Sequence, residues 1–208
     1  MGESRAVPLT IEADKPAAPA HARILSVARE LFCRDGIHAT GIDRILGAAN
    51  ASKMALYARF GSKEALLRAV LEEEGAEWRA RLFATLDAAG GDPLAQLQAV
   101  IAALRGWFEG GRFYGCAFMN AVAEHPKNEP WLRDLAAAHH ACIRERLAAL
   151  AAEAGFAEPA LLARQILLLM DGAIAALMVT SDPGVLDVAA RSLNAILGSA
   201  PRAGRPLP

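Results

Sequence analysis

Aromatic residues are scarce in this sequence, 6% of 208 residues, and cysteine occurs only three times, at Cys33, Cys116 and Cys142. Three widely spaced cysteines without a CxxC pair exclude a disulfide-stapled scaffold and a zinc finger, and they suit a reducing compartment. There is no marked excess of either charge: the net charge is -1 and the pI about 6.5, so bulk charge alone does not argue for a polyanionic partner. The most apolar run, Ile166 to Met170, is interrupted by Asp171 well short of a membrane span. No basic stretch followed by an apolar core opens the chain. The expectation is a soluble, cytoplasmic protein with no membrane partner. No Glu-x-x-His motif occurs, and no paired acid and base of an enzyme is visible, so neither catalysis nor a cofactor is expected.

What is present is alanine, leucine and long stretches between glycines and prolines. With 54% hydrophobic residues, this composition predicts an all-α protein. Residues 1–20 and 198–208 hold prolines and glycines among small and charged residues and read as mobile tails. Between positions 21 and 71 there are eight Lys or Arg against four Asp or Glu, a net +4, which leaves -5 for the rest. A basic N-terminal segment on an acidic body fits a phosphate-binding module joined to a dimerisation or ligand module.

The spacing of Ile24, Leu25, Ala28, Leu31 and Phe32 predicts a first helix over 21–35, ended by Gly36. Thr40 followed by Asp43 suggests a capped second helix, ended at Asn50 by a left-handed turn residue. Ser52 can cap a very short third helix and Ser62 a fourth. Three short helices with such turns are helix-turn-helix material. The fourth helix is long enough to lead into a body of about five further helices over 72–197: Pro93 to Phe108, Cys116 to Glu124, Trp131 to Ala154, Pro159 to Thr180 and Pro183 to Leu197.

The stretch from Ala39-Thr40-Gly41-Ile42-Asp43-Arg44-Ile45 through Ala48-Ala49-Asn50-Ala51-Ser52-Lys53-Met54-Ala55-Leu56-Tyr57 to Phe60-Gly61-Ser62-Lys63-Glu64-Ala65-Leu66-Leu67 resembles the DNA-binding domain of the tetracycline-repressor-like (TetR) family. The likeness covers residues 21–71. Gly41, Asn50, Ala51, Met54 and Ala55 depart from the usual residues. The resemblance implies an N-terminal three-helix helix-turn-helix domain joined to a larger helical ligand-binding and dimerisation domain. Its partners would be double-stranded operator DNA, a small-molecule effector and a second copy of the chain.

Physical reasoning assigns roles beside the resemblance. A helix capped at Ser52 can present Lys53, Met54 and Tyr57 to a major groove, with Leu56 and Phe60 turned inward. Lys53 and Arg44 offer donors to guanine, and Met54 or Ala55 can meet a thymine methyl. Lys63 and Thr40, at helix N-termini, are expected phosphate contacts.

In the body, Trp107, Phe108, Phe113, Phe118 and Met119 cluster around a glycine-bounded loop, with Cys116 and Asn120 as small polar groups. They are read as a ligand cavity or as plain core. His139 and Asp171 join the candidates, Asp171 either reading a polar group of a ligand or pairing with an arginine at an interface. His139, His140 and Cys142 do not make a metal site, since neighbouring side chains on a helix point about 100° apart. Cys116 as a redox sensor lacks a cationic neighbour in sequence.

The last two long helices carry more apolar surface than one small domain needs, so they are expected to pair with their two-fold mates. Ligand binding would then move the fourth helices and reduce operator affinity. The rival readings are a dimer with a degenerate helix-turn-helix and a helical ligand carrier.

Overall fold

The computed structural model describes residues 18–125 and 130–204. Of the tails expected at 1–20 and 198–208, residues 1–17 and 205–208 lie outside the described residues. Among the described residues there are ten helices and no strand, only an isolated bridge between Phe156 and Arg202.

Three helices and the start of a fourth form the N-terminal head. α1 (Ala20–Asp35) buries Ile24, Ala28, Leu31 and Phe32 along one stripe and stops at Gly36, whose φ of 89° excludes most other residues. α2 (Ile42–Ala49) ends at Asn50, which holds φ 46° and ψ 57° as a left-handed cap. α3 (Lys53–Phe60) begins with the Ser52 hydroxyl accepting from the Ala55 amide at 3.1 Å, and α4 (Lys63–Ala88) with Ser62 accepting from Ala65 at 3.0 Å. Both caps satisfy an N–H that would otherwise have no partner.

One cap differs from expectation. α2 is preceded by Gly41 with no side-chain cap, while Thr40 is fully buried and its hydroxyl donates to the Gly36 carbonyl at 2.7 Å. The turn after α1 needs that hydroxyl to satisfy a carbonyl, so Thr40 faces inward instead of toward the second helix.

α4 spans 26 residues, about 39 Å at 1.5 Å per residue, and passes through both halves of the molecule. Leu66, Leu67, Val70 and Leu71 belong to the head core, and Trp78, Leu82 and Leu86 to the body core. The body continues with α5 (Pro93–Gln98), capped by Asp92, then α6 (Val100–Glu109), α7 (Ala117–Glu124), α8 (Pro130–Glu153), α9 (Pro159–Thr180) and α10 (Gly184–Ser199). The single helix expected over 93–108 is two. At Ala99 the chain tightens, with ψ at -10° and its N–H shared between the Ala95 and Gln96 carbonyls. No proline or glycine marks that bend.

α8 packs along α9, and α9 along α10. The C-terminal end also differs from the expected tail. α10 runs to Ser199, and the segment after it straps the α8–α9 connection: Ala157 N–H donates to Pro201 O and Ala203 N–H to Gly155 O, each at 2.8 Å. The Arg202 guanidinium lies 3.8 Å from the Phe156 ring centroid. α9 corrects a second expectation. Its 22 residues, with a mean hydropathy of 1.7 in the most apolar window, have the length and composition of a membrane span. Leu162, Ile166, Met170, Ala173, Ile174 and Leu177 on it are buried in the core, where 39% of that window lies, while Leu161, Leu168 and Val179 are exposed.

Candidate nucleic-acid interface and body cavity

The exposed face of the head is built by α2 and α3. Leu56 is fully buried and anchors α3, with Met54 nearly opposite it on the helix, and Lys53, Met54 and Tyr57 are exposed. Met54 is 80% exposed and Tyr57 51%, values that make no sense for packing residues and leave both free to touch another molecule. Ser52 and Lys53 are exposed and Ala55 half-buried on the same short helix. Lys53 Nζ reaches Asp43 on α2 at 2.9 Å, which raises the lysine pKa and keeps it cationic, while Arg44 reaches Asp35 at 2.6 Å. Of the eight head residues expected from sequence, Arg44, Ser52, Lys53, Met54 and Tyr57 are on the exposed surface and Ala55 is half-buried.

Thr40 does not belong to it, being buried. Lys63 is placed differently as well: its ammonium donates to the Ile37 carbonyl at 2.7 Å and lies 5.8 Å from the Phe32 ring centroid. Burial lowers its pKa. In this conformation it supports the α1–α2 turn and is not extended into solvent. Sequence reasoning also missed Arg23, whose guanidinium donates to the carbonyls of Ala49 and Asn50 at 2.9 and 2.8 Å and so pins the α2–α3 turn to α1.

The body holds two neighbouring spaces. The inner one, about 30 Å³, is bounded by Trp107, Cys116, Phe118, His139 and Asp171, together with Glu74, Trp78 and Arg81 of α4, His140 and aliphatic side chains of α7, α8 and α9. Five of the nine expected cavity residues meet here. Phe113 instead packs edge-on against Trp107 and Phe108, at 4.9 and 5.4 Å between centroids. Asn120 turns its amide to the Tyr114 carbonyl at 3.0 Å. Met119, like Phe108, packs half-buried against the core outside the cavity lining.

His139 stacks on Phe118 with centroids 4.2 Å apart and a 16° tilt, and its Nδ1 is 2.9 Å from an Arg79 nitrogen. Burial, with Arg79 and His140 adding to it, pushes its imidazole down to about 4, so it is neutral near pH 7 and Arg79 donates to Nδ1. Desolvation raises the Asp171 carboxyl, against an opposing pull from His140. Burial raises the Cys116 thiol too, which removes the thiolate that redox sensing needs.

The outer space is a cleft of about 690 Å³ between α1, α4, α6 and the α6–α7 loop. It is lined by charged side chains that sequence reasoning did not single out. Arg29 forms a two-carboxylate bridge to Glu74 and Glu77 on α4, and Arg112 with Tyr114 reaches Glu30 on α1. Trp78 and Trp107, 4.6 Å apart, stand in the wall common to both spaces. Buried Gly75 is a further missed residue. A Cβ there would come within 2.9 Å of Phe118 Cζ and the Arg79 guanidinium, so this glycine inside α4 permits the close approach of α7 and α8.

Head and body are joined at one more point. The Glu124 carboxylate at the end of α7 accepts from Ile37 N–H at 2.8 Å and His38 N–H at 3.0 Å, and the His38 ring lies 2.7 Å from the Glu124 carbonyl. The helix that carries Phe118 into the cavity thus grips the turn that leads into α2.

Comparison with known proteins agrees with this architecture. Residues 24–70 match the tetR family of bacterial regulatory proteins and residues 93–193 the tetracyclin repressor-like C-terminal domain. The HTH-type transcriptional regulator UidR of Escherichia coli is 38% identical over 58 residues, a match spanning 28% of this chain and 30% of that protein. A TetR-family transcriptional regulator from Streptomyces coelicolor superposes with a TM-score of 0.80 at 29% identity, covering 86% of this chain and 94% of the other. A putative regulator of the same kind from Streptomyces avermitilis gives 0.73 at 28% identity, over 88% and 98%. With both halves of the sequence matched and the whole fold shared, this chain belongs to the TetR family of transcriptional regulators.

Proposed function

We propose that the chain acts in the cytoplasm as a homodimeric repressor that binds a near-palindromic operator and leaves it when a small molecule occupies the body. The observation that carries this reading is α3, a capped eight-residue helix whose outward side chains are Lys53, Met54 and Tyr57. A short helix held between two turns presents its N-terminal residues to base edges, while backbone amides and cations hold phosphates. Arg44 and Lys53 would exchange their carboxylate partners for phosphate or guanine on binding. Lys63 serves phosphate only after leaving Ile37, and Thr40 acts by holding the turn.

Dimerisation is assigned to α9 and α10. Leu168 is 73% exposed and Val188 55%, both along an apolar groove with Gly172, Ala176 and Val185. Covering it with a two-fold copy removes a contiguous apolar patch from water.

The effector response follows from the contacts of α7. A molecule entering beside Phe118 and Trp107 displaces α7 against α4, and Glu124 transmits that shift to the turn before α2. Operator and effector then favour different head positions, and by linkage each weakens the other equally.

Selection of bound sequences from a random DNA pool at near-physiological salt tests the reading, with wild type beside Tyr57→Ala. A palindrome recovered with wild type and lost with the variant supports it. No enrichment at any salt concentration overturns it.

A further inference from the structure

Each cation facing the two body spaces already has a carboxylate. Arg29 holds Glu74 and Glu77, Arg112 holds Glu30, and Arg81 lies 3.3 Å from Glu77. An anionic guest would have to break one of these pairs. Asp171 is the opposite case. It projects from α9 into the inner space with no hydrogen-bond partner among the described residues, and His140 Nε2, at 3.7 Å, is its nearest basic group. His139, the other histidine there, is engaged by Arg79 and buried.

The walls around Asp171 are aromatic and aliphatic, with Glu74 and Arg81, each already paired, on the side toward the cleft. Trp107 and Phe118 bound the inner space, and Trp78 stands beside Trp107 in the wall toward the cleft. Ring faces attract cations, and a half-buried carboxylate strengthens that preference. The inner space alone, about 30 Å³, admits an end group and no more. The cleft beyond the tryptophan wall has the volume for a ligand body.

We propose that the effector is an organic cation, a protonated or quaternary amine on a flat apolar body, with its charged end at Asp171 and its body beside Trp107 in the opened cleft. This rests on the effector reading above and names the chemistry of that site. A guest cation satisfies the carboxylate without disturbing Arg29 or Arg112, so charge balance in the body improves upon binding. Movement of Trp107 joins the two spaces.

The test uses the purified full-length chain and three compounds that share an indole ring: tryptamine (a cation), tryptophol (neutral) and indoleacetate (an anion). Calorimetric titration is expected to rank tryptamine about tenfold tighter than tryptophol, the ratio that one net charge-assisted contact produces, with indoleacetate weakest. Asp171→Asn, close to isosteric, brings tryptamine and tryptophol to parity. Tryptophol or indoleacetate binding as well as tryptamine to wild type overturns the assignment, as does no tryptamine binding at millimolar concentration. A preference that survives Asp171→Asn overturns it too. Adding the same compounds to an operator-bound sample separates the two readings. Tryptamine that binds through Asp171 without releasing operator keeps the cation site and removes the effector response. Operator released by tryptophol or indoleacetate alone keeps the effector response and removes the cation.

Discussion

Replacing Glu124 with alanine removes the acceptor of the Ile37 and His38 amides. Ile37 is 5% exposed, so its N–H is left without water, whereas His38 is exposed and can recover a solvent partner. A hydrogen bond to a charged group contributes about 1.5–3 kcal/mol, and an exposed one about 1 or less, so the expected loss is about 2–3 kcal/mol. For a chain of this length each kcal/mol moves Tm by roughly 2–4 °C, which predicts a fall of roughly 5–10 °C. Glu124→Gln keeps a carbonyl oxygen at the same place and is expected to lose less than half as much. Thermal unfolding followed by circular dichroism, at matched protein concentration because a dimer's Tm depends on it, measures both. Amide hydrogen exchange at Ile37 and His38 should accelerate in the alanine variant. A Tm within about 1 °C of wild type, with unchanged exchange, would refute the idea that α7 holds the head through this carboxylate.

Other consequences can be measured alongside. His139 is held neutral down to about pH 4, while in the unfolded chain it takes a proton near 6.5, so wild type loses stability as pH falls from about 6.5 toward 4. The share lost by pH 5 is about 2 kcal/mol, and the Tm gap between wild type and His139→Gln should shrink from pH 7.5 to pH 5. Lys63→Ala should lower Tm, because the Ile37 carbonyl loses its donor, and weaken binding to all DNA sequences alike, whereas Lys53 and Met54 variants should change which bases are preferred. Gly75→Ala gains about 1 kcal/mol in helix propensity but forces Phe118 or Arg79 to move, at an overpacking cost of about 1–3 kcal/mol; calorimetry should show no net stabilisation. Leu168→Asp with Val188→Asp should yield a monomer by light scattering, and a dimer that survives both would place the interface elsewhere.

The parts of the fold legible in sequence are those whose causes lie within one helical turn. Ser52 and Ser62 accept from amides three residues on, and Asn50 and Gly36 end their helices by their own backbone freedom. The outward side of α3 is read the same way, because Leu56 facing in turns Met54, two residues away and nearly opposite on the helix, out to solvent. Thr40 shows the limit of such reading. Its residue type fits a cap, but whether the hydroxyl points at α2 or back at Gly36 depends on how α1 and α2 pack.

Tertiary structure alone decided the rest, since it joins residues that no local pattern links. Glu124 lies 87 residues from Ile37, and Arg29 lies 45 and 48 residues from Glu74 and Glu77, so nothing in their neighbourhoods marks them as partners. Gly75 reads as a weak point in a helix until Phe118 and His139 arrive beside it. Sequence by itself determined most of the helices, the serine caps of α3 and α4 and the exposed side of α3, because those are set by periodicity and short-range hydrogen bonds. The lining of the body, the Asp171 carboxylate facing it with His140 3.7 Å away and the grip of α7 on the head were decided by packing, which alone brings distant charges within reach of one another.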